Sequence, residues 1–198
     1  MSVAPLNLAW ATQTHARGTS SALGEPDWLT ADRLAALEKV AALPAEPNQL
    51  YITYFDLRAV DFAAVESYPP VPSARCKADA ELPQGAAAIV HVDERALVSC
   101  SLSDEAREKG IIITSLAQAA VDTPELVREL LEGGGSLPDD DAFGQVARAF
   151  HSLGIFIRVP DGVELKAPIV LRWSAGAPGF GLISRTLVSV GANAHASI

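Results

Sequence analysis

Cysteine is scarce in this sequence: the 198 residues contain two, Cys76 and Cys100, far apart and in no CxxC pattern. That spacing indicates neither a disulfide framework nor a zinc knuckle, and a reducing, cytoplasmic setting is expected. Long apolar runs are missing too. No window approaches the ~18 consecutive apolar residues of a membrane span, and Met1 to Arg17 lacks a cationic start followed by an apolar stretch. Neither secretion nor membrane spanning is expected. Basic residues are outnumbered, 15 Lys and Arg against 24 Asp and Glu, and the net charge of -9 argues against an extended footprint on nucleic acid or an anionic membrane.

The usual signatures of catalysis and ligand binding are absent as well. Gly133-Gly-Gly135-Ser136 has no preceding strand and no Lys-Ser/Thr to open a following helix, so it reads as a helix cap and loop rather than a phosphate cradle. The glycines at 176, 179 and 181 lack GxGxxG spacing and read as a loop between strands. His15, His91, His151 and His195 are isolated, with no HxH, HxxxH or HExxH spacing, and a local metal site is not expected from them. His91 reads as a hydrogen-bonded strand residue and His151 as a helix-end residue; His195 falls on a β segment with no assigned role. Asp139-Asp140-Asp141 lacks the alternating ligands of a calcium loop and precedes a helix, where capping accounts for it. Asp161 and Glu164 flank a turn and carry no other glycosidase signature. Ordinary iron–sulfur clusters take about four cysteine or histidine ligands, so cysteine alone cannot supply such a site in one copy. Cys76, between Arg75 and Lys77, has neighbours that would favour a thiolate if exposed, against the plainer reading of a loop cysteine; Cys100 ends an apolar strand and is expected to pack. No catalytic, cofactor-binding or metal-ligating residue is assigned.

What the chain does have is a change of period near residue 142. Hydrophobic residues are 49% of the composition, enough for a substantial core in one or two domains. Residues 1–23 read as a flexible arm or weak helix. From Glu25 a helix is expected, with Pro26 in its first turn, Glu25 and Asp27 at its positive end, Leu34, Leu37 and Ala41 on one face, and Pro44 as its stop. Pro44 to Asn48 reads as a linker and Tyr68-Pro-Pro-Val-Pro72 as an extended connector. Ala86–Val92 and Ala96–Cys100 read as a hairpin, Ser103 and Gly110 bracket a short helix, and Ile111–Ile113 is a buried strand. Thr123-Pro124-Glu125 reads as a capped helix start, with Leu126, Leu130 and Leu131 on the apolar face. Phe143, Val146, Ala147 and Phe150 share a helix face, after which strands are expected at roughly 154–159, 163–165, 169–173, 182–190 and 194–198. Pro160-Asp161-Gly162 is a turn in which Pro presets φ, Asp bonds its own backbone and Gly accepts positive φ. Strands so closely spaced leave no room for helical crossovers and suit a meander, a barrel or coils of a parallel β-helix. No internal repeat is obvious in the sequence.

Three ordered segments carry a family resemblance. They are Ala149-Phe150-His-Ser-Leu-Gly154-Ile-Phe-Ile-Arg-Val-Pro160-Asp-Gly162-Val-Glu164-Leu-Lys-Ala-Pro168-Ile169 with Arg185-Thr-Leu-Val188 and Gly191-Ala192; Gly110-Ile-Ile-Ile-Thr-Ser-Leu-Ala-Gln-Ala-Ala120 with Pro124-Glu125-Leu126-Val127; and Gly24-Glu-Pro-Asp-Trp28-Leu-Thr-Ala-Asp-Arg33-Leu-Ala-Ala-Leu37-Glu38. Together they resemble the SufB/SufD scaffold proteins of iron–sulfur cluster assembly, SufD-like rather than SufB-like, in their N-terminal portion. At Tyr51–Phe62 the chain departs from the family pattern, with Ile52 and Thr53 where a Trp and a basic residue stand, and Ala147 replaces a common Asn.

The resemblance implies an α+β fold: a mixed helical and strand N-terminal region at 24–141, then the first coils of a right-handed parallel β-helix at 142–198. It implies a non-catalytic subunit of a SufBCD-type complex, with a SufC-like ABC-type ATPase and a SufB/SufD-like subunit as partners and the cluster built on the whole complex rather than held by this chain. An open β-helix end also exposes unpaired backbone, so self-association is expected. Two alternatives are a β-helical module that binds or acts on carbohydrate, for which three Trp and three Tyr spread along the chain offer little stacking surface, and a stand-alone protein-interaction domain.

Overall fold

The structure is a computed structural model. It describes residues 6–44, 60–70, 82, 85–93, 98–132, 137–174 and 176–198, together with the backbone of short strands at 51–52, 55–56 and 77–78. Cys76, the Gly133–Ser136 run and most of the 51–59 segment lie outside the described residues.

Two helices open the chain. In α1 (Gln13–Leu23) the Thr12 hydroxyl accepts the His15 N–H at 3.1 Å, and Gly24, at φ 70°, turns the chain out of the helix. α2 (Asp27–Ala42) follows Pro26 and ends at Leu43, just before Pro44. Its inward face differs from the expected one. Leu29, Arg33, Ala36 and Val40 are buried and Ala41 is exposed, while Leu34 and Leu37 are half-buried at the edge of the Phe150 cluster. α2 packs against both α1 and the later helix α6 (Ala142–Phe150), so one stripe alone could not meet both neighbours.

The expected hairpin forms as β5 (Ala88–Val92) and β6 (Val98–Leu102), antiparallel with Val90 opposite Cys100. β9 (Ile169–Trp173) adds parallel to β5, and the short β4 (Lys77–Ala78) pairs parallel to β6 with Lys77 opposite Ser101. Cys100 is buried and disulfide-bonded, which corrects the expectation from spacing.

A second sheet is built on β8 (Leu153–Val159), flanked by antiparallel β7 (Ile112–Ser115) and parallel β11 (Ser184–Val190). Two short strands, β3 (Glu66–Ser67) and β10 (Phe180–Gly181), pair in parallel, and β1 (Tyr51–Ile52) pairs antiparallel with β2 (Phe55–Asp56). The strands expected at 163–165 and 194–198 reduce to one parallel bridge between Glu164 and His195.

β8 organises the core because both its faces are covered. Ile155, Ile157 and Val159 meet Val90, Ile113 and Ile169 on one side. On the other, Phe156 meets Leu116, Ala120 and Val127 from α4 (Leu116–Asp122) and α5 (Pro124–Glu132). A strand buried on both faces reads as a continuous apolar run, as Leu153–Ile157 does. Ser103 caps α3 (Asp104–Glu108), and Gly110, at φ 74°, leads to β7. Thr123 does not cap α5 through its side chain. Its hydroxyl donates back to the Ala119 carbonyl at 3.1 Å, within the turn that ends α4. The fold is α+β with small mixed sheets.

Candidate functional site

A buried polar cluster joins α2 to the end of α6. Arg33 lies in the apolar stripe of α2 and is fully buried. Its Nε and Nη2 donate to Glu25 Oε2 and Oε1 at 2.6 and 2.7 Å, a bidentate pair between side chains exposed 0% and 1%. Nη1 donates to the Ala149 carbonyl at 3.1 Å and Nη2 to the His151 carbonyl at 3.0 Å. These last acceptors close α6, so the guanidinium also satisfies carbonyls that the helix end leaves open.

The His151 ring completes the cluster. Arg33 Nη2 sits 2.8 Å from His151 Nε2, and His151 Nδ1 is 3.1 Å from the Ala147 carbonyl. Arginine cannot accept, and both Nη2 hydrogens already serve Glu25 Oε1 and the His151 carbonyl, so Nε2 shares the second of these as an acceptor and Nδ1 carries the ring proton. This makes His151 neutral, in keeping with a pKa held below 6.5 by burial and then by the Arg33 charge. The 3.5 Å approach of His151 Nε2 to Glu25 Oε1 is therefore a close approach and not an ion pair. For Glu25, burial pushes the carboxyl up, but the hydrogen bonds from Arg33, with its charge, more than offset this and bring it down to about 2.

A cavity of about 220 Å³ adjoins this cluster, lined by Glu25, His151, Ser115, Gln118 and Leu116 among others. Its polar groups are already engaged. Ser115 Oγ accepts from Gln118 N at 3.0 Å, Glu25 is paired with Arg33, and His151 is used at both nitrogens. The arrangement braces helix against sheet.

A second, partly buried ion network lies beside it. Arg148 pairs with Asp32 and, at 3.2 Å, with Asp139, which also pairs with Lys39 at 2.6 Å. Arg185 of β11 approaches Asp32 Oδ2 at 3.7 Å. These contacts tie α2, α6 and β11 together. Asp141 caps α6 by accepting the Phe143 N–H at 2.9 Å, as the acidic run before the helix implied.

The remaining candidates are dispersed. His15 Nε2 is 2.9 Å from Ser67 Oγ, and burial followed by the Arg33 charge lowers its pKa. His91 lies in β5 and meets Ser174 Oγ at 3.0 Å. His195 and Glu164 are exposed partners in the parallel bridge. Among the described residues, no group of three or more His, Cys, Asp or Glu comes together in a metal-binding arrangement, and no helix is long and apolar enough to cross a membrane.

Two successive segments stack in register. Leu153 pairs with Ser184 and Glu164 with His195, an offset of 31 residues in both cases (184 minus 153, 195 minus 164). The turns between them correspond as well: Gly162 has φ 69°, and Asn193, 31 positions later, has φ 55°. Asp161 Oδ1 accepts the Ala192 N–H at 3.0 Å, linking one turn to the next. The sequence hides this repeat because Pro-Asp-Gly and Gly-Ala-Asn share backbone conformation rather than letters.

No family model matches the chain, and no solved structure matches it. The chain spans 37% of the length of a curated relative, the iron–sulfur cluster assembly protein SufD of Bacillus subtilis (strain 168). The two are 26% identical over 163 residues, 79% of this chain, a similarity that supports a SufB/SufD-like relationship.

Proposed function

We propose that the chain is the N-terminal part of a SufD-like scaffold subunit that works in iron–sulfur cluster assembly within a SufBCD-type complex. The observation that carries the reading is the 163-residue similarity to SufD. The 31-residue parallel stacking of 153–164 on 184–195 supports it further, because repeated parallel rungs at constant offset are how a β-helix begins. On this reading residues 142–198 form the first coils of a right-handed parallel β-helix and 24–141 an α/β region joined to them through the β5–β9 and β7–β8 pairings.

The subunit is a non-catalytic one. Its charged interior is spent on bracing, and its role is to present a rigid stack to a SufC-like ABC-type ATPase and a SufB/SufD-like subunit. The cluster is the cargo of the whole complex, with no ligand assigned to this chain. A cytoplasmic setting follows from the same likeness, and the disulfide at Cys100 is the observation that pulls against it, since such bonds are rare in reducing compartments.

Deletion of the gene in its source organism tests the reading. Activity of iron–sulfur-dependent dehydratases should fall while their polypeptide levels hold, and the intact gene should restore it. Unchanged iron–sulfur enzyme activity under iron limitation would remove the proposal.

A further inference from the structure

A second cavity lies where the stretch ahead of α1 meets α6 and the start of β11. Its volume is about 170 Å³, and Leu8, Trp10, Phe62, Val65, Phe143 and Val146 belong to its wall. Packing holds this wall in place. Trp10 meets Phe150 edge to face with ring centroids 5.0 Å apart, and Phe62 and Phe143 lie at 6.0 Å with their rings tilted by 58°. An apolar cavity of about 150 Å³ takes one benzene-sized guest. This one has room for a single ring.

The rim of this apolar cavity is acidic. Among the described residues its wall holds one charged side chain, Glu66, which is exposed, and Asp61, also exposed, precedes Phe62. The stretches that build the wall, 6–10, 61–67, 142–147 and 180–184, contain no Lys, Arg or His. Just beyond them, Arg148 and Arg185 are turned to Asp32. His15, beside Trp10, bonds Ser67, and burial followed by the Arg33 charge favours its neutral form. An anionic guest would meet repulsion at the rim with no cation to offset it, whereas a cationic one could pair with Glu66.

We infer that this cavity binds a small organic cation, one aromatic ring joined by a short chain to an ammonium group. The ring fills the apolar space among Phe62, Phe143 and Val146, and the ammonium lies against Glu66 at the rim. Burial of the ring supplies most of the affinity. The ion pair is exposed, so it selects the sign of the guest more than it adds strength. A guest of so few atoms is expected to bind with a Kd on the order of 0.1–1 mM. The inference stands on this cavity alone and is independent of the Suf reading.

Titration of the full 198-residue chain with phenethylammonium, followed by methyl NMR, tests it, with phenethyl alcohol and phenylacetate as the neutral and anionic counterparts. The methyl resonances of Leu8, Val65 and Val146 should shift. The ammonium should bind about threefold more tightly than the alcohol and about tenfold more tightly than phenylacetate at low salt, and added salt should narrow that spread. Glu66→Gln, on the exposed rim, should bring the ammonium down to the affinity of the alcohol. Val65→Phe, which fills the cavity, should weaken the ammonium and the alcohol alike by about tenfold or more; circular dichroism checks its folding, and Glu66→Gln decides if it does not fold. No shift at those methyls with ligand on the order of 10 mM, phenylacetate bound as tightly as the ammonium, a Glu66→Gln chain that keeps the preference for the cation, or a folded Val65→Phe chain that binds undiminished would overturn the inference.

Discussion

Arg33 Nη2 lies 2.8 Å from His151 Nε2, although 118 residues separate them. The contact fixes the histidine as a neutral acceptor and joins α2 to the end of α6, where the chain turns into β8. Removing Arg33 leaves the Glu25 carboxylate and His151 Nε2 in the interior without their donor.

Arg33→Met is expected to destabilise the fold by about 3–5 kcal/mol, because it leaves the Glu25 carboxylate buried without its cation. Arg33→Lys should fare little better, since an ammonium cannot reproduce the fork that holds Glu25 and the two α6 carbonyls together. Urea denaturation measures both. Loss of under about 1 kcal/mol in Arg33→Met would show that the cluster is not the brace described.

Stability should fall with acid in two stages. His151 is held below 6.5, so as pH drops through that value the unfolded state takes up a proton that the folded state refuses. Glu25 sits at about 2 against 4.5 for the free carboxyl, so its contribution is complete above 4.5 and drains away as pH falls toward 2. Urea midpoints measured from pH 7 to pH 3 should decline throughout and more steeply below pH 4.5. A flat profile would contradict the assignment.

Gly191 and Gly18 should respond to alanine with opposite signs. A Cβ at Gly191 would lie 2.5 Å from Asp161 N and 2.8 Å from Asp161 Cα, backbone atoms that cannot swing aside, so a loss of about 1–3 kcal/mol or more is expected. Gly18, within α1, has nothing within 4 Å, and alanine there should stabilise by about 0.5–1 kcal/mol. Thermal melts of the two variants make the comparison, and an unaffected Gly191→Ala would mean the turns at 160–162 and 191–193 do not stack as described.

Cys100 should resist alkylation under denaturing conditions until a reductant is added, because it is disulfide-bonded and not merely buried. Peptide mass spectrometry reads the label directly. Full labelling of Cys100 without reductant would refute the bond.

Local chemistry was legible in the sequence and long-range pairing was not. The β5–β6 hairpin, the Ser103 cap, the positive-φ glycines at 110 and 162 and the Asp141 cap all depend on residues a few positions apart, and all are present. Thr123 differs from the expected cap because its hydroxyl has two bonding choices within one turn and takes the earlier one. A charged residue on a surface helix is ordinarily solvated, and the one sign that Arg33 is not lies in its helical spacing with Leu29, Ala36 and Val40. The helical stripe at Leu34, Leu37 and Ala41 looked equally good on periodicity, and only the packing of α2 against α1 and α6 decides between them. The 31-residue register between β8 and β11 leaves no trace in residue identity, since its repeated feature is left-handed backbone at Gly162 and Asn193.

Suf membership is tested most directly by isolating the chain under native conditions from its source cells, through a tag at its own locus, and identifying what accompanies it by quantitative mass spectrometry. The account predicts a SufC-like ABC-type ATPase at near-stoichiometric amounts, together with a SufB/SufD-like subunit. Recovery of the chain in good yield with neither protein above background would contradict it.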